Sequence, residues 1–364
     1  MGKQIDPVEY VPDASIHPGQ SLSDILESRG ISQAELARRM NKPVQAVNEI
    51  IMGKKEIIPD TAIALEHVLG LPAGFWLKLE SNYRESLARE KENKGLGHQI
   101  ELSSVYPYKE MATFGWVKAT NNAKEKVTEL LKWLGVANLN LVPSQYAVAF
   151  RKSEKFSVAK EKLVAWLRHG EIELQNEALQ SFDKDNVGTL MNSLRGMTAK
   201  EINVAHKEAK NLCASFGIAL IFTPEFKSFP VSGATRWVGN HPLVQVSLRF
   251  KTDDHFWFSI FHELGHVFKH KRDLFIENEG QINDLEYEEE ANKFAASYLI
   301  PEDRYLQFIA KNPLFSESDI VRFASEIGIA PGIVVGRLQH DKKIGMNRYN
   351  RLKKRLCWKK NDSK

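Results

Sequence analysis

Phe256-Trp257-Phe258-Ser259-Ile260-Phe261-His262-Glu263-Leu264-Gly265-His266-Val267 is the stretch on which the reading of this chain turns. Ser259, His262, Glu263 and His266 interrupt its apolar run, which falls short of the ~20 residues a membrane span needs. Asp253 or Asp254 is placed to cap it, so the segment reads as a single helix. Within it, His262-Glu263-Leu264-Gly265-His266 has the H-E-x-x-H spacing. At roughly 100° per residue, the two histidines stand one turn apart on one face and direct two imidazoles at one ion. Glu263 falls beside that face, placed to accept a proton from a zinc-bound water instead of ligating the metal.

A catalytic zinc takes a third protein ligand and leaves its fourth position to water. Working outward, Glu286, Glu288, Glu289 and Glu290 precede Ala291-Asn292-Lys293-Phe294-Ala295-Ala296-Ser297-Tyr298-Leu299. With Glu288 at zero, Ala291, Asn292, Ala295, Tyr298 and Leu299 fall within roughly 80° of it, while Glu289 and Glu290 are rotated by about 100° and 200°. Glu288 therefore faces inward as the expected ligand; Glu289 as ligand, or a plain solvated acidic face, are the alternatives. Ala291 and Ala295 let this helix come close to the first, and Asn292 is placed to orient an imidazole. Upstream, a helix from Asn203 to Cys213 leads to strands at Ile218–Phe222, Gly233–Val238 and Leu243–Leu248. His255 and Arg236 are weaker candidates for substrate contact, against purely structural roles. The expected fold class is mainly α with a small β-sheet (α+β).

The first ninety residues read differently. Pro18 precedes a helical pattern at Leu22, Ile25 and Leu26 that Gly30 stops; Ser32 and Glu35 make a capping box, and Pro43 opens a further helix that runs to Gly53. Two short helices joined by a tight turn are the helix-turn-helix layout. On the second, Gln45, Ala46, Asn48 and Glu49 are the expected groove-facing residues, joined by Gln33 from the first, while Val44, Val47 and Ile51 read as packing. Amides can bond adenine and Ala can meet a thymine methyl. Arg38, Arg39, Lys42, Lys54 and Lys55 supply phosphate contacts.

The run His17-Pro18-Gly19, Ser32-Gln33-Ala34-Glu35-Leu36-Ala37, Ile50 to Lys54, Pro59-Asp60-Thr61-Ala62, Leu69-Gly70 and Phe75-Trp76-Leu77 to Asn82-Tyr83 resembles the XRE-type, HigA-like antitoxin domain. That resemblance implies operator binding as a homodimer, usually autoregulatory, and neutralisation of a cognate toxin; Trp76 and Tyr83 would then belong to a partner or dimer surface. Glu49 departs from it by placing an acid on the groove face. The second half resembles the ImmA/IrrE metallopeptidases through His262-Glu263-Leu264-Gly265-His266, Glu288-Glu289-Glu290-Ala291-Asn292-Lys293-Phe294-Ala295-Ala296 and Leu299-Ile300-Pro301, with Gly233-Ala234-Thr235-Arg236-Trp237 and Lys251 to Trp257 similar to a subgroup that follows a HigA-like domain. It implies a gluzincin-like zinc site and cleavage of a helix-turn-helix repressor or antitoxin. A non-proteolytic autorepressor with a structural or sensory metal domain is the competing expectation.

The expected organisation is a five-helix DNA-binding bundle at 1–90, a helical spacer at 91–199 with Glu90 to Gly97 as a linker or exposed helix end, a metallopeptidase domain at 200–340 and a basic tail at 341–364. The 364 residues carry a net charge of +4. From Arg337 onward, eleven Lys or Arg stand against Asp341 and Asp362, so the basic excess belongs to the tail. That tail is expected either as a solvated terminus or as a phosphate binder. Glu317 to Leu338 resembles a second helix-turn-helix, read as packing or as another DNA reader. Trp133, Trp166 and Phe150 are core candidates before they are a ligand pocket. Cys213 and Cys357 are isolated, which excludes a disulfide framework and leaves His and carboxylate to hold any metal. The N-terminus has no apolar leader, and Asp6 stands where a myristoylation signal has Ser or Thr, so a cytoplasmic location without membrane contact is expected.

Overall fold

The computed structural model describes residues 16–146, 159–270, 272–278 and 285–359. They divide into two units, Met1–His98 and Gln99–Lys364. The N-terminal leader positions, Phe150, Asp362 and the acidic residues Glu279 and Asp284 lie outside the described residues.

In the first unit, α1 (Pro18–Ser28), α2 (Gln33–Arg39), α3 (Val44–Ile51), α4 (Pro59–Leu69) and the start of α5 (Ala73–Ser103) enclose a core of Leu22, Leu26, Leu36, Val47, Ile50, Leu65 and Trp76. His17 caps α1 through its Nδ1, which accepts from Gly19 N at 2.9 Å. A Cβ on Gly19 would lie 2.2 Å from the Ile50 carbonyl oxygen, so glycine is what lets α1 cross α3. Ser32 caps α2 by accepting from Glu35 N at 3.1 Å. The other half of the expected box is redirected: the Glu35 carboxylate takes Arg38 and Arg39 instead, at 2.8 and 2.7 Å. Pro43 is the N-cap of α3 and not its first helical residue, so the helix begins at Val44, one place later than expected. Trp76 is fully buried, and Tyr83 packs edge-on against His17 at 4.6 Å, which corrects the reading of Trp76 as a partner surface. Glu90 to Gly97 is helix, not linker, because its Glu and Lys residues are strong helix formers that carry the pattern past two glycines.

The second unit is built on a four-stranded sheet of order β1-β3-β2-β4, with β1 (Ala219–Phe222) parallel to β3 (His241–Val246), and β2 (Val231–Val238) antiparallel to both β3 and β4 (Phe275–Asn278). Alternation sends neighbouring residues to opposite faces. Leu220, Val244 and Val246 pack with Phe256, Trp257, Ile260 and Leu264 of the helix Asp253–Lys269, here called the histidine helix. On the other face Gln245 donates to the Trp166 carbonyl at 2.5 Å, and Arg236 bonds the Leu167 carbonyl, both on the helix Lys160–Leu174. Gly170 makes room there, since a Cβ would meet the Gln245 side chain at 2.2 Å. The expected spacer is thus a layer of the sheet domain, and the boundary at 199/200 does not separate two bodies. Trp166 is fully buried and Trp133 stacks on Trp116 at 5.5 Å, both as packing.

Helices Glu302–Lys311, Glu317–Ile327 and Pro331–His340 complete the core around the histidine helix. Ile333, Val334, Val335 and Leu338 of the last are buried, so the second helix-turn-helix pattern is spent on packing and presents no reading face. The backbone of the tail is docked at 354–356, where Lys354 N donates to Asp253 Oδ1 at 2.9 Å, Leu356 N to the Lys251 carbonyl at 2.8 Å, and Arg355 bridges Thr252, while Lys342, Lys343, Arg348, Arg355 and Lys359 remain exposed. No helix among the described residues is long and apolar enough to cross a membrane.

Candidate metal centre and nucleic-acid interface

The histidine helix starts after Thr252, which occupies the N-cap in place of the expected Asp253 or Asp254. Those two acids are buried in its first turn, where negative charge suits the helix dipole. Asp254 pairs with Lys353 at 2.7 Å. One side of this helix meets the acidic helix Leu285–Leu299 so closely that a Cβ on Gly265 would sit 3.1 Å from Ala291 Cα. The small residues at 265 and 291 bring the ligand-bearing faces together.

Glu288 faces the histidines as the helix phase predicted. Its Oε2 is 3.1 Å from His262 Nε2 and its Oε1 is 3.5 Å from His266 Nε2, while the two Nε2 atoms lie 3.0 Å apart. Among the described residues these three form a group able to hold an ion. Glu289, the alternative, points away to Lys293 at 3.6 Å and is largely exposed. Asn292 Oδ1 stands 3.0 Å from His262 Nδ1. Burial pushes the His266 imidazole down to about 4. At neutral pH that histidine is therefore a neutral imidazole, the form a metal requires.

The donor set fits a zinc-like ion. Ligand bonds of 2.0–2.2 Å in a tetrahedron separate ligand atoms by about 3.4 Å, close to the separations found here. An imidazole that gives its Nδ1 proton to an amide oxygen leaves a lone pair on Nε2, and Asn292 selects that form of His262. A cation placed between these atoms would balance the lone pair and the carboxylate that converge there.

Glu263 is fully buried and fixed by β2, where Thr235 Oγ1 lies 2.6 Å from its Oε2. Gly233 gives it space, since a Cβ there would fall 2.4 Å from Glu263 Oε1. A cavity of about 440 Å³ opens beside His262 and Glu288. It is lined by His262, Glu288 and Asn292 and by the apolar Phe250, Phe258 and Ile333. His255 also reaches this cavity and stacks on Phe250 at 4.2 Å. Arg236 does not: it lies buried against Glu171 at 3.1 Å on the far face of the sheet, which removes it from the substrate candidates.

Sequence reasoning missed Gly233, Thr235 and His270. The first two depend on how β2 crosses the histidine helix. His270 stands one turn beyond the motif, a spacing legible in principle.

In the first unit, α3 exposes Gln45 and Asn48, with Ala46 and Glu49 half-buried. Asn48 donates to Gln33 Oε1 at 3.2 Å and Gln45 to Glu49 Oε1 at 2.9 Å, so the four polar candidates form two pairs. Val44 is half exposed at 49 %, a correction to its reading as packing: the start of α3 projects from the bundle. Arg38, Lys54 and Lys55 are exposed and Lys42 is half-buried; Arg38 shares the Glu35 carboxylate with Arg39, which holds that carboxyl at about 2.

Comparison with known families follows the same division. Residues 22–76 match a helix-turn-helix family model, and residues 213–339 match the IrrE N-terminal-like domain of the M78 peptidases. Virulence-associated protein I of Dichelobacter nodosus is 31 % identical over 91 residues, which are 25 % of this chain and 83 % of that protein. The first part of the chain belongs to the helix-turn-helix family of these proteins, and an IrrE-like domain follows it. Solved structures similar to the HigA-like domain include the Pseudomonas aeruginosa antitoxin HigA with the higBA promoter (34 % identity, 23 % of this chain and 94 % of that one, TM-score 0.22). Another is a Pseudomonas aeruginosa protein in complex with its operator DNA (36 %, 24 % and 98 %, TM-score 0.23). The IrrE-like match begins at Cys213 and so takes in the sheet, the histidine helix and the acidic helix.

Proposed function

We propose that this protein is a DNA-binding regulator of the HigA-like antitoxin type coupled to a zinc-dependent endopeptidase, acting on a helix-turn-helix repressor or antitoxin in the cytoplasm. The observation that carries the enzymatic half is the convergence of His262, His266 and Glu288 beside a cavity, with Glu263 clamped by Thr235.

His262, His266 and Glu288 would hold the ion. Once bound, it would polarise a peptide carbonyl and acidify a water. Glu263 is the proton carrier: its carboxylate accepts the proton of the attacking water and returns it to the departing amine. Thr235 and the close backbone at Gly233 keep that carboxylate in one rotamer, so no reorganisation is needed during transfer. Asn292 orients His262. The apolar lining of the cavity, Phe250, Phe258 and Ile333, excludes water around a substrate side chain.

Glu263→Gln should keep stoichiometric zinc and lose cleavage of a co-expressed repressor or antitoxin, read by mass spectrometry of the fragments and metal analysis. Undiminished proteolysis by that variant rejects the assignment. Stoichiometric zinc with no cleavage by the parent protein favours the structural or sensory reading of the metal.

For the first unit, α3 enters the major groove as part of a homodimer on operator DNA. Val44 joins Gln45, Ala46, Asn48 and Glu49 on its exposed start, and Arg38, Lys42, Lys54 and Lys55 meet phosphates. Neutralisation of a cognate toxin remains a separate activity of the same unit. Asn48→Ala should weaken binding to the protein's own promoter by about 1–3 kcal/mol with loss of base discrimination, measured by fluorescence anisotropy at fixed salt. Equal affinity of the variant and parent would remove Asn48 from the reading face.

A further inference from the structure

His270 lies at the C-cap of the histidine helix, one turn beyond His266. Its side chain is 1 % exposed and packs beside Phe275 and Tyr287, with ring centroids 5.3 and 4.8 Å away. Its Nδ1 is 2.9 Å from His266 Nδ1, and its Nε2 is 3.0 Å from Glu290 Oε2. The second distance sets the direction of the first. An ionised carboxylate only accepts, so His270 Nε2 carries a hydrogen, and a neutral His270 then presents a lone pair at Nδ1. In that form His266 donates its own Nδ1 hydrogen to that lone pair. Its Nε2 is left as a lone pair, aimed at Glu288 and His262.

We propose that His270, backed by Glu290, is the positioning residue for His266, doing through an imidazole and a carboxylate what Asn292 does for His262 through one amide. The inference rests on the metal-centre reading above. Phe275 holds His266 from the side, stacked at 4.3 Å and 11°. That stack fixes the ring plane but cannot choose between its two nitrogens, whereas a hydrogen bond at Nδ1 does. Glu290, half exposed, places the negative end of the chain in solvent, where it needs no buried counter-charge.

The test uses full-length protein and reads zinc affinity by competition with a chromophoric chelator, together with the visible spectrum of the cobalt-substituted protein. His270→Leu removes the acceptor and should weaken zinc binding about 10–100-fold and alter the cobalt bands. His270→Asn places an amide oxygen where Nδ1 stood and should recover most of the affinity without reaching Glu290. Glu290→Gln should weaken binding by a few-fold. Parent affinity and an unchanged spectrum in His270→Leu overturn the proposal, as does an Asn variant no better than Leu. Should the Leu variant fail to fold, His270→Asn and Glu290→Gln decide between themselves: parent-like binding by both overturns the chain, and Glu290→Gln the weaker binder supports it. A parent protein that binds no zinc fails differently, by removing the metal centre itself.

Discussion

Gly233 shows how much one hydrogen atom can carry. It sits in β2 between Val246 and Glu277 in register, at the place where the sheet passes over Glu263. A methyl group there would overlap the Glu263 side chain at three atoms, from 2.4 to 2.9 Å. Gly233→Ala should leave zinc content unchanged and reduce cleavage about 100-fold, because a displacement near 1 Å at a proton carrier has that order of effect. Measured kcat and metal stoichiometry check it; full activity would mean that Glu263 tolerates another position. His262, Glu263 and His266 were legible because consecutive residues on one helix have fixed angular relations, and Glu288 because the same rule applies to its own helix. Gly233 and Thr235 were not, since their roles come from a crossing of two elements that no local spacing encodes. Val44 was misread for a related reason: an apolar residue on a short helix was assigned inward, although the N-terminal turn of α3 projects out of the bundle.

Among the elements, the segment from Asn350 to Leu356 had the least legible role. Its positive run reads as a solvated or phosphate-binding tail, yet three of those charges meet acids within the same unit. Arg351 Nε bonds Glu317 at 2.9 Å, Lys353 bonds Asp254 at 2.7 Å and Lys354 bonds Glu201 at 3.0 Å. Lys353 and Asp254 are both largely buried, at 9 and 7 % side-chain exposure. Gly336 leaves room for that carboxylate, since a Cβ would lie 2.7 Å from Asp254 Oδ2. Lys353→Met should therefore destabilise the protein by about 3–5 kcal/mol, because it strands a buried carboxylate. Combining it with Asp254→Leu should restore much of the loss. Chemical denaturation of the single and double variants measures this, and additive losses would show that the two side chains do not act as a pair. Strand β4 was missed because Phe275-Ile276-Glu277-Asn278 is too short to display alternation, and it is defined by its pairing with β2.

For the whole molecule, the expected four segments reduce to two compact units, one reading as a helix-turn-helix bundle and the other as a sheet layered between the helix Lys160–Leu174 and the histidine helix. The mistaken boundary near residue 199 came from treating helical periodicity without chemistry as a spacer. Gln245 and Arg236, polar residues inside a sheet, were the hint that something must bond to them from the other face. All three candidate ligands lie in the second unit. Scanning calorimetry should then resolve two transitions, and chelation should lower one by about 10 °C, taking zinc near 1,000 times its Kd to contribute about 4 kcal/mol. The other transition should not move. A shift of both would show that the units melt as one.

The docked segment has one further consequence, for the order of events during synthesis. Lys353 and Lys354 come late in the second unit's stretch of chain, and they fasten the first turn of the helix that bears His262 and His266. Domains generally fold as they emerge, N-terminal first. A ribosome would thus release the helix-turn-helix unit well before the second unit could close these late fastenings, so, on the proposed function, a nascent chain could reach its operator while still unable to cut.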